Sequence, residues 1–196
     1  ASRSPAPRAD APHNLPVQLT SFVGRQREKA EVRRLLESAR LLTLTGPGGC
    51  GKTRLALAVA ADMSPSNPDG VWLVELASLG DPTLVPAVVA ATLGVQTTLA
   101  GRTVEALVAY LAPRRLLLVL DNCEHLLDAC ATLVDALLRR CPNLRVLATS
   151  REALRTPGEV VWLVPSLTLP DPRRLPPLDA LVRYEAVQLF LERAAA

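Results

Sequence analysis

The chain has 196 residues, of which 49% are hydrophobic and only 3% are aromatic. This length suits one domain, or one domain and a fragment of another, with a core built from Leu, Val and Ala. The formal charge of +3 is mild, and the arginines are scattered along the chain instead of forming one basic run. Both features disfavour direct nucleic-acid binding by this domain.

The cysteines and the apolar segments indicate the cellular compartment of the protein. Cys50, Cys123, Cys130 and Cys141 form neither a C-x-x-C pair nor a zinc-ligand spacing, and Cys123 with His125 supplies only two candidate metal ligands. The sequence shows no signal-peptide pattern and no apolar run of membrane length. We therefore expect a cytoplasmic protein with reduced thiols and no membrane contact.

In chain order, the first 16 residues are rich in Pro, Ala and Arg and predict a flexible tail or linker. A helix is predicted over residues 26–39, where apolar residues such as Val32 and Leu36 share one face. The run Leu41–Thr45 then predicts a short buried strand.

This strand leads directly into the sequence GPGGCGKT, which fills every fixed position of the G-x-x-x-x-G-K-[ST] phosphate loop. Residues 54–62 are strong helix formers and predict a helix after the loop. The residues expected to surround a nucleotide phosphate are Gly46, Pro47, Gly48, Gly49, Cys50, Gly51, Lys52 and Thr53.

Each part of this motif has a physical role in binding a phosphate. The glycines allow successive backbone N–H groups to turn towards an anion, and the helix N-terminus adds its positive end. Lys52 is expected to reach the β- and γ-phosphates, and the Thr53 hydroxyl to bind Mg²⁺. The alternative interpretation is a glycine turn between a strand and a helix, with Lys52 as a surface lysine.

Strands and helices continue to alternate after the loop. Strands are predicted at 71–76, 115–121, 144–149 and 160–164, and helices at 82–93, 103–112, 124–140 and 183–196. This alternation predicts an α/β fold of the P-loop NTPase class, a three-layer sandwich with a five-stranded parallel sheet. We divide the chain into a tail (1–16), a nucleotide-binding domain (17–165), a proline-rich linker (166–180) and the start of a helical domain (181–196).

A phosphate loop is expected to have an acidic partner at the tip of a neighbouring strand. The run LLLVLD ends on Asp121, which we expect to hold Mg²⁺ together with Thr53. Asn122 follows where many ATPases carry a second acid that polarises water, so we expect slow hydrolysis. Glu124 could take that role, but its favoured role is charge stabilisation at the N-terminus of the following helix.

Four segments together resemble the NB-ARC type of signal-transducing ATPase, also called STAND. They are FVGR (22–25), the phosphate loop (46–53), LLLVLDNCEHL (116–126) and LATSRE (147–152). The most similar variant occurs in large actinobacterial regulators, where the ATPase domain is joined to a LuxR-type helix-turn-helix, a SARP-type activator domain or a nucleotide cyclase.

The resemblance implies roles for individual residues. Val23 and Arg25 would line the adenine and phosphate side of the site. Lys52 and Asp121 would serve the phosphates and Mg²⁺, and Arg151 at the tip of the fourth strand would sense the γ-phosphate. The fourth strand would lie between the first and third, which gives the sheet order 5-1-4-3-2. The alternative for Arg151 is a surface arginine that follows a strand.

The resemblance also implies a function and partners. The domain would be an ATP- and ADP-binding switch with slow Mg²⁺-dependent hydrolysis, joined to helical, winged-helix and effector domains outside this sequence. It could form homo-oligomers on activation, and DNA would be contacted only through another domain. A P-loop small-molecule kinase is the alternative from the enzyme class, whereas a GTPase is disfavoured because the sequence has no N-K-x-D stretch.

Overall fold

The computed structural model describes residues 11–18, 20–96, 102–174 and 176–194. The helices are α1 (Gln26–Ser38), α2 (Lys52–Met63), α3 (Val85–Thr92), α4 (Thr103–Leu111), α5 (Leu127–Arg140), α6 (Leu178–Leu181) and α7 (Glu185–Ala194). The strands are β1 (Leu41–Thr45), β2 (Val71–Glu75), β3 (Leu117–Asp121), β4 (Arg145–Thr149) and β5 (Glu159–Leu163). Short 3₁₀ helices lie at Ser64–Ser66, Pro82–Leu84 and Cys123–His125.

The five strands form one parallel sheet in the order β2-β3-β4-β1-β5. Counted from the other edge, this is the predicted order 5-1-4-3-2, and the predicted fold class is confirmed. The register pairs Glu75 with Asp121, and Leu44 with Thr149. Because the strands are parallel, their carboxyl ends share one edge of the sheet, and the phosphate loop leaves β1 at that edge.

Helices cover both faces of this sheet, so the fold has three layers. Val32 of α1 and Leu55 of α2 belong to a core on one face, while α3, α4 and α5 enclose a second core on the other. The alternation of side chains along β3 sends Leu117 to the first core and Leu118 to the second. The three central strands β1, β3 and β4 are buried on both faces, which explains why they consist mainly of apolar residues.

The helix predicted to begin at Glu124 begins three residues later, at Leu127. Asn122 has a left-handed φ of 68°, and this change of backbone direction is followed by the 3₁₀ turn Cys123–His125. Glu124 therefore lies in that turn and not in the first turn of α5. The helix-stabilising role favoured for it from sequence is wrong.

Two terminal segments differ from simple tails. Residues 1–10 of the predicted tail lie outside the described residues, but Asn14 exchanges hydrogen bonds with the backbone of Leu73 at 2.8 and 2.6 Å, along the edge of β2.

The predicted C-terminal helix is α7, and residues 195–196 lie outside the described residues. The short helix α6 forms inside the segment predicted as a proline-rich linker, after Pro177, whose restricted φ of −53° suits a helix start. Among the described residues, no helix is long and apolar enough to cross a membrane.

Candidate functional site

The phosphate loop joins β1 to α2 and owes its shape to glycine. Gly46, Gly49 and Gly51 have φ angles of 146°, 76° and 90°, values that residues with a Cβ rarely adopt. At Gly51 an added Cβ would also lie 3.2 Å from Nη1 of Arg25. Substitution at these positions would therefore change the path of the loop.

Lys52 is the first residue of α2, and its side chain folds back against the loop. Its Nζ donates hydrogen bonds to the carbonyl oxygens of Gly46 at 2.8 Å and Pro47 at 3.0 Å. The residue is only 9% exposed, and a buried ammonium group needs such acceptors to offset the loss of water. The positive charge is thus fixed beside the first residues of the loop.

Asp121, at the end of β3, receives two hydroxyl groups from different elements. The Thr53 hydroxyl of α2 donates to Asp121 Oδ1 at 2.7 Å, and the Thr149 hydroxyl of β4 donates to the same oxygen at 2.6 Å. The backbone N–H of Asn122 in turn donates to Thr149 Oγ1 at 2.9 Å. Thr53 and Asp121 were predicted to act together, whereas Thr149 was not predicted from sequence.

The donor set around Asp121 fits a hard divalent cation. A hydroxyl and a carboxylate oxygen stand within 2.7 Å of each other, and Mg²⁺ is usually held by one or two such protein oxygens, by substrate phosphates and by water. The described residues contain no cluster of three or more His, Cys, Asp or Glu side chains that could bind a metal alone. Any Mg²⁺ bound here would take its other ligands from phosphate oxygens and water.

Arg151 lies just after β4, in contact with a carboxylate and near Gly48 of the phosphate loop. Its Nε is 3.1 Å from Glu124 Oε1, and its Nη2 is 4.0 Å from the position that a Cβ on Gly48 would occupy. The Arg151 side chain is 68% exposed, whereas that of Glu124 is only 17% exposed. Within the described part of the chain, Glu124 Oε2 is buried without a hydrogen-bond partner.

Arg25 supports the loop from its other side. Arg25 is buried, and its backbone has a left-handed φ of 57°. One nitrogen of its guanidinium, Nη2, donates to the carbonyl oxygens of Cys50 at 2.7 Å and Pro165 at 2.9 Å. The Arg25 backbone N–H donates to Oε1 of Glu185, the first residue of α7, at 2.6 Å. Arg25 therefore connects the phosphate loop to the segment after β5 and to α7.

A cavity of about 460 Å³ opens beside the phosphate loop. Its walls come from the FVGR segment, the loop, the segment after β5 and α7, and its mixture of apolar and polar groups is typical of ligand sites. The lining residues are Ser21, Phe22, Val23, Arg25, Gly49, Cys50, Gly51, Arg54, Ser166, Leu167, Leu169, Ala186, Leu189 and Arg193. Val23 and Arg25 were predicted at this site, but the walls from residues 166–169 and α7 were not.

The thiol and imidazole groups nearby have structural roles. Cys123 is fully buried. The neighbouring Cys130 thiol and, to a lesser degree, burial raise the pKa of Cys123 well above its ordinary value. The Nε2 atom of His125 lies 2.9 Å from the carbonyl oxygen of Leu79.

Comparison with known families agrees with this geometry. The family model described as Novel STAND NTPase 1 matches residues 16–160, which include every strand but the end of β5. The chain belongs to this family of STAND NTPases. The predicted STAND resemblance is thereby confirmed, and the family match covers the loop, Asp121 and Arg151.

The STAND domain has relatives in mycobacteria. An uncharacterized protein of Mycobacterium tuberculosis is 43% identical over 182 residues, which cover 93% of this chain and 43% of the relative. Another protein of the same species, named "Putative HTH-type transcriptional regulator", is 43% identical over 164 residues, covering 84% of this chain and 17% of the relative. The chain thus spans less than half the length of these relatives.

Solved structures share the fold of this STAND domain at low sequence identity. A STAND protein with a tetratricopeptide repeat sensor from Pyrococcus horikoshii gives a TM-score of 0.52 at 16% identity, covering 86% of this chain and 26% of its own. A Drosophila ORC structure, bound to AT-rich DNA and Cdc6, gives 0.52 at 17% identity, covering 87% of this chain and 61% of its own. These likenesses concern the fold.

Proposed function

We propose that this STAND domain binds ATP and ADP with Mg²⁺ and serves as the nucleotide-dependent switch of a signalling or transcriptional regulator. The observation that carries the proposal is the meeting of Lys52, the Thr53–Asp121 pair and Arg151 around one glycine loop. These are a point charge for phosphate, two hard oxygen ligands and a second cation, which are the parts that phosphoryl transfer uses.

Lys52 would leave its carbonyl acceptors and contact the β- and γ-phosphates, because a charged phosphate is a stronger acceptor than a neutral carbonyl. Thr53 and Asp121 would hold Mg²⁺, which neutralises charge that develops on the phosphates during hydrolysis. Arg151 would contact the γ-phosphate, since its Nη2 lies only 4.0 Å from the position of a Cβ on Gly48. ATP and ADP would then differ in the contact that they make with Arg151.

The cavity beside the loop would hold the adenosine part of the nucleotide. Phe22 and Val23 supply apolar surface there, and Arg54 and Arg193 supply polar groups at its margin. Its volume of about 460 Å³ lies within the usual range for small-molecule sites. We propose that these side chains select adenine over guanine. The sequence has no N-K-x-D stretch, which would bind guanine.

Hydrolysis would be slow. Asn122 stands where a carboxylate would activate water, and an amide cannot accept a proton at neutral pH. The site is also open, because Thr53 is exposed and the Arg151 side chain is 68% exposed. Water is therefore not excluded in the way that efficient phosphoryl transfer needs.

The proposed domain division places the nucleotide at a boundary. Residues 17–165 would form the nucleotide-binding domain, 166–180 a linker and 181–196 the start of a helical domain. Support comes from α7, which lines the cavity through Ala186, Leu189 and Arg193. A nucleotide between these parts would couple its γ-phosphate to the position of the following domain.

The regulator would act through domains outside this sequence. Support comes from the mycobacterial relative whose name describes an HTH-type transcriptional regulator and from the short share of each relative that this chain spans. DNA contact would belong to such a domain, as in LuxR-type regulators. NB-ARC-like activation, with assembly of homo-oligomers in the cytoplasm, is part of the same proposal.

Calorimetry with the 196-residue chain tests the proposal. In Mg²⁺ buffer we expect binding of ATP and ADP, and weaker binding of GTP. Lys52→Ala should weaken ATP binding at least about tenfold, since a charge-assisted hydrogen bond contributes about 1.5–3 kcal/mol.

Lys29→Ala is the matched control, because Lys29 is the chain's only other lysine. Lys29 lies in α1 and forms an ion pair with Asp62 of α2 at 2.9 Å. Asp121→Ala should remove the Mg²⁺-dependent part of the affinity and affect metal-free binding less. Equal ATP affinity in Lys52→Ala and the wild type would overturn the proposal.

A further inference from the structure

We propose that Glu124 is the carboxylate that activates water for ATP hydrolysis and that Arg151 withholds it until a γ-phosphate binds. This inference rests on the proposed function and adds a catalytic residue to it. It starts from an ion pair that the family match does not assign, Arg151 Nε to Glu124 Oε1 at 3.1 Å.

The backbone turn after β3 places Glu124 in contact with Arg151. Asn122 turns the chain with its left-handed φ of 68°, and the 3₁₀ turn Cys123–His125 presents Glu124 beside Arg151. Asn122 itself, the residue directly after Asp121, carries no carboxylate. The turn therefore brings an acid to the site three residues after Asp121.

The surroundings of Glu124 suit a carboxylate that is blocked until a nucleotide binds. Its side chain is only 17% exposed, and in the described structure Oε2 is buried with no hydrogen-bond donor. A buried carboxylate oxygen without a hydrogen-bond donor lowers the stability of the folded chain. Such an arrangement can persist when the carboxylate serves a function. Oε1 is the oxygen that Arg151 contacts, at 3.1 Å.

Arg151 can change partners. Its side chain is 68% exposed, so water can solvate the guanidinium when it leaves Glu124. The Glu124 side chain is only 17% exposed, so a water molecule has to replace Arg151 as the donor to Oε1. Its Nη2 already lies 4.0 Å from the Cβ position of Gly48, so a small rotation of the guanidinium would reach a phosphate on the loop. A γ-phosphate carries more negative charge than one carboxylate and accepts a bidentate contact from arginine.

The reaction then proceeds as follows. With Arg151 on the γ-phosphate, Glu124 Oε1 accepts a hydrogen bond from a water molecule. The water oxygen forms a bond to the γ-phosphorus while the bond from that phosphorus to the bridging oxygen breaks, and the bridging oxygen leaves with the electron pair as part of ADP. The water proton passes to Glu124 and from there to the released phosphate or to solvent. ADP offers Arg151 no γ-phosphate, so the pair with Glu124 forms again.

Affinities measured by calorimetry test this exchange independently of turnover. Glu124→Gln removes the competitor for Arg151, so a non-hydrolysable ATP analogue with Mg²⁺ should bind at least about twofold tighter, because the ion pair no longer has to break before Arg151 reaches the phosphate. ADP affinity should stay unchanged, which also shows that the variant is folded. Single-turnover hydrolysis of ATP should fall at least about 100-fold.

Two further variants separate this exchange from a general effect of charge. In an Arg151→Ala background, Glu124→Gln should no longer tighten the ATP analogue, whereas simple relief of charge repulsion would persist there. Glu152→Gln is the matched control, because Glu152 is an exposed acid paired with Arg155 at 3.1 Å, and it should change neither affinity nor turnover.

The outcomes distinguish the two proposals. A wild-type chain that binds neither ATP analogue nor ADP overturns the proposed function and this inference with it. Nucleotide binding by the wild type, with equal analogue affinity or equal turnover in Glu124→Gln, overturns only the inference. Tightening that survives in the Arg151→Ala background would also reject the exchange, because the effect would then not pass through Arg151.

Discussion

The Thr149 hydroxyl lies 2.6 Å from Asp121 Oδ1 and joins the ends of two neighbouring strands. It donates to the carboxylate and accepts from the Asn122 N–H, so one side chain fixes both the acid and the backbone that follows it. Thr149 is 1% exposed, and a hydroxyl buried in this way orients a metal-binding carboxylate. It is a positioning residue for the proposed Mg²⁺ site.

Thr149→Val should therefore weaken Mg²⁺-dependent ATP binding by about tenfold, the lower end of the range for residues that orient metal ligands. Binding without Mg²⁺ should change less. Titration of the nucleotide at several Mg²⁺ concentrations measures this difference.

Thr43→Val provides the control, because Thr43 is a fully buried strand threonine whose hydroxyl has no partner among the described residues. Removal of that hydroxyl should leave nucleotide binding unchanged and raise the free energy of unfolding by about 1 kcal/mol. If both variants bind Mg²⁺–ATP like the wild type, Thr149 does not position Asp121.

Arg25→Lys tests the support behind the phosphate loop. Lysine keeps the charge but cannot reproduce the planar fork of arginine, whose Nη2 reaches the carbonyl oxygens of Cys50 and Pro165. We expect the free energy of unfolding to fall by about 1–3 kcal/mol and ATP to bind more weakly. Urea unfolding followed by circular dichroism measures the first effect, and calorimetry measures the second.

Arg27→Lys is the comparison for Arg25→Lys, because Arg27 is an exposed residue of α1. Its effect on the free energy of unfolding should stay within about 0.5 kcal/mol. Equal stability of the two variants would show that the Arg25 hydrogen bonds do not hold the loop.

The sequence predicted the strands well because each is a short apolar run bounded by turn residues, and it predicted the phosphate loop because the motif is local. Thr149 was missed since it lies 28 residues from Asp121 and meets it only through the pairing of β3 with β4. Glu124 was placed in a helix because the apolar periodicity of α5 continues back to Leu126. The one signal against this placement was Asn122, a residue type that tolerates the left-handed φ it adopts here. The α7 wall depends on contacts across the chain, such as the one from Arg25 to Glu185.

Stability at alkaline pH should depend on Cys141. Burial raises the pKa of this thiol, and the opposing charges of Arg140 and Arg40 do not cancel the effect. The folded chain then holds the thiol proton more tightly than the unfolded chain does. This contribution is fully present below the unfolded pKa of about 8.5 and is lost as the pH rises through the folded value.

Urea unfolding at pH 8, 9 and 10 should therefore show a falling free energy of unfolding, and Cys141→Ala should reduce that fall. The variant loses some packing at every pH, so the slope against pH is the quantity to compare. An identical slope in the variant would mean that the Cys141 thiol does not contribute to this pH dependence.

The last prediction concerns Cys50 inside the phosphate loop. Its thiol is half-buried, whereas Cys123, Cys130 and Cys141 are fully buried. The sulfur points back towards Gly46 and lies 3.0 Å from the position of a Cβ there, so alkylation requires the loop to open. We expect iodoacetamide to label Cys50 before the other three, and ADP to slow this labelling because a bound phosphate holds the loop closed.

Mass-spectrometric mapping after timed exposure measures both effects, and Cys50→Ser supplies the reference rate for the buried thiols. Lys52→Ala tests whether the protection of Cys50 requires bound ADP. In this variant, which should bind ADP weakly, ADP should no longer slow the labelling. Labelling of Cys50 that is unchanged by ADP in the wild type, at a concentration where calorimetry shows binding, would mean that the nucleotide neither covers nor closes this part of the loop.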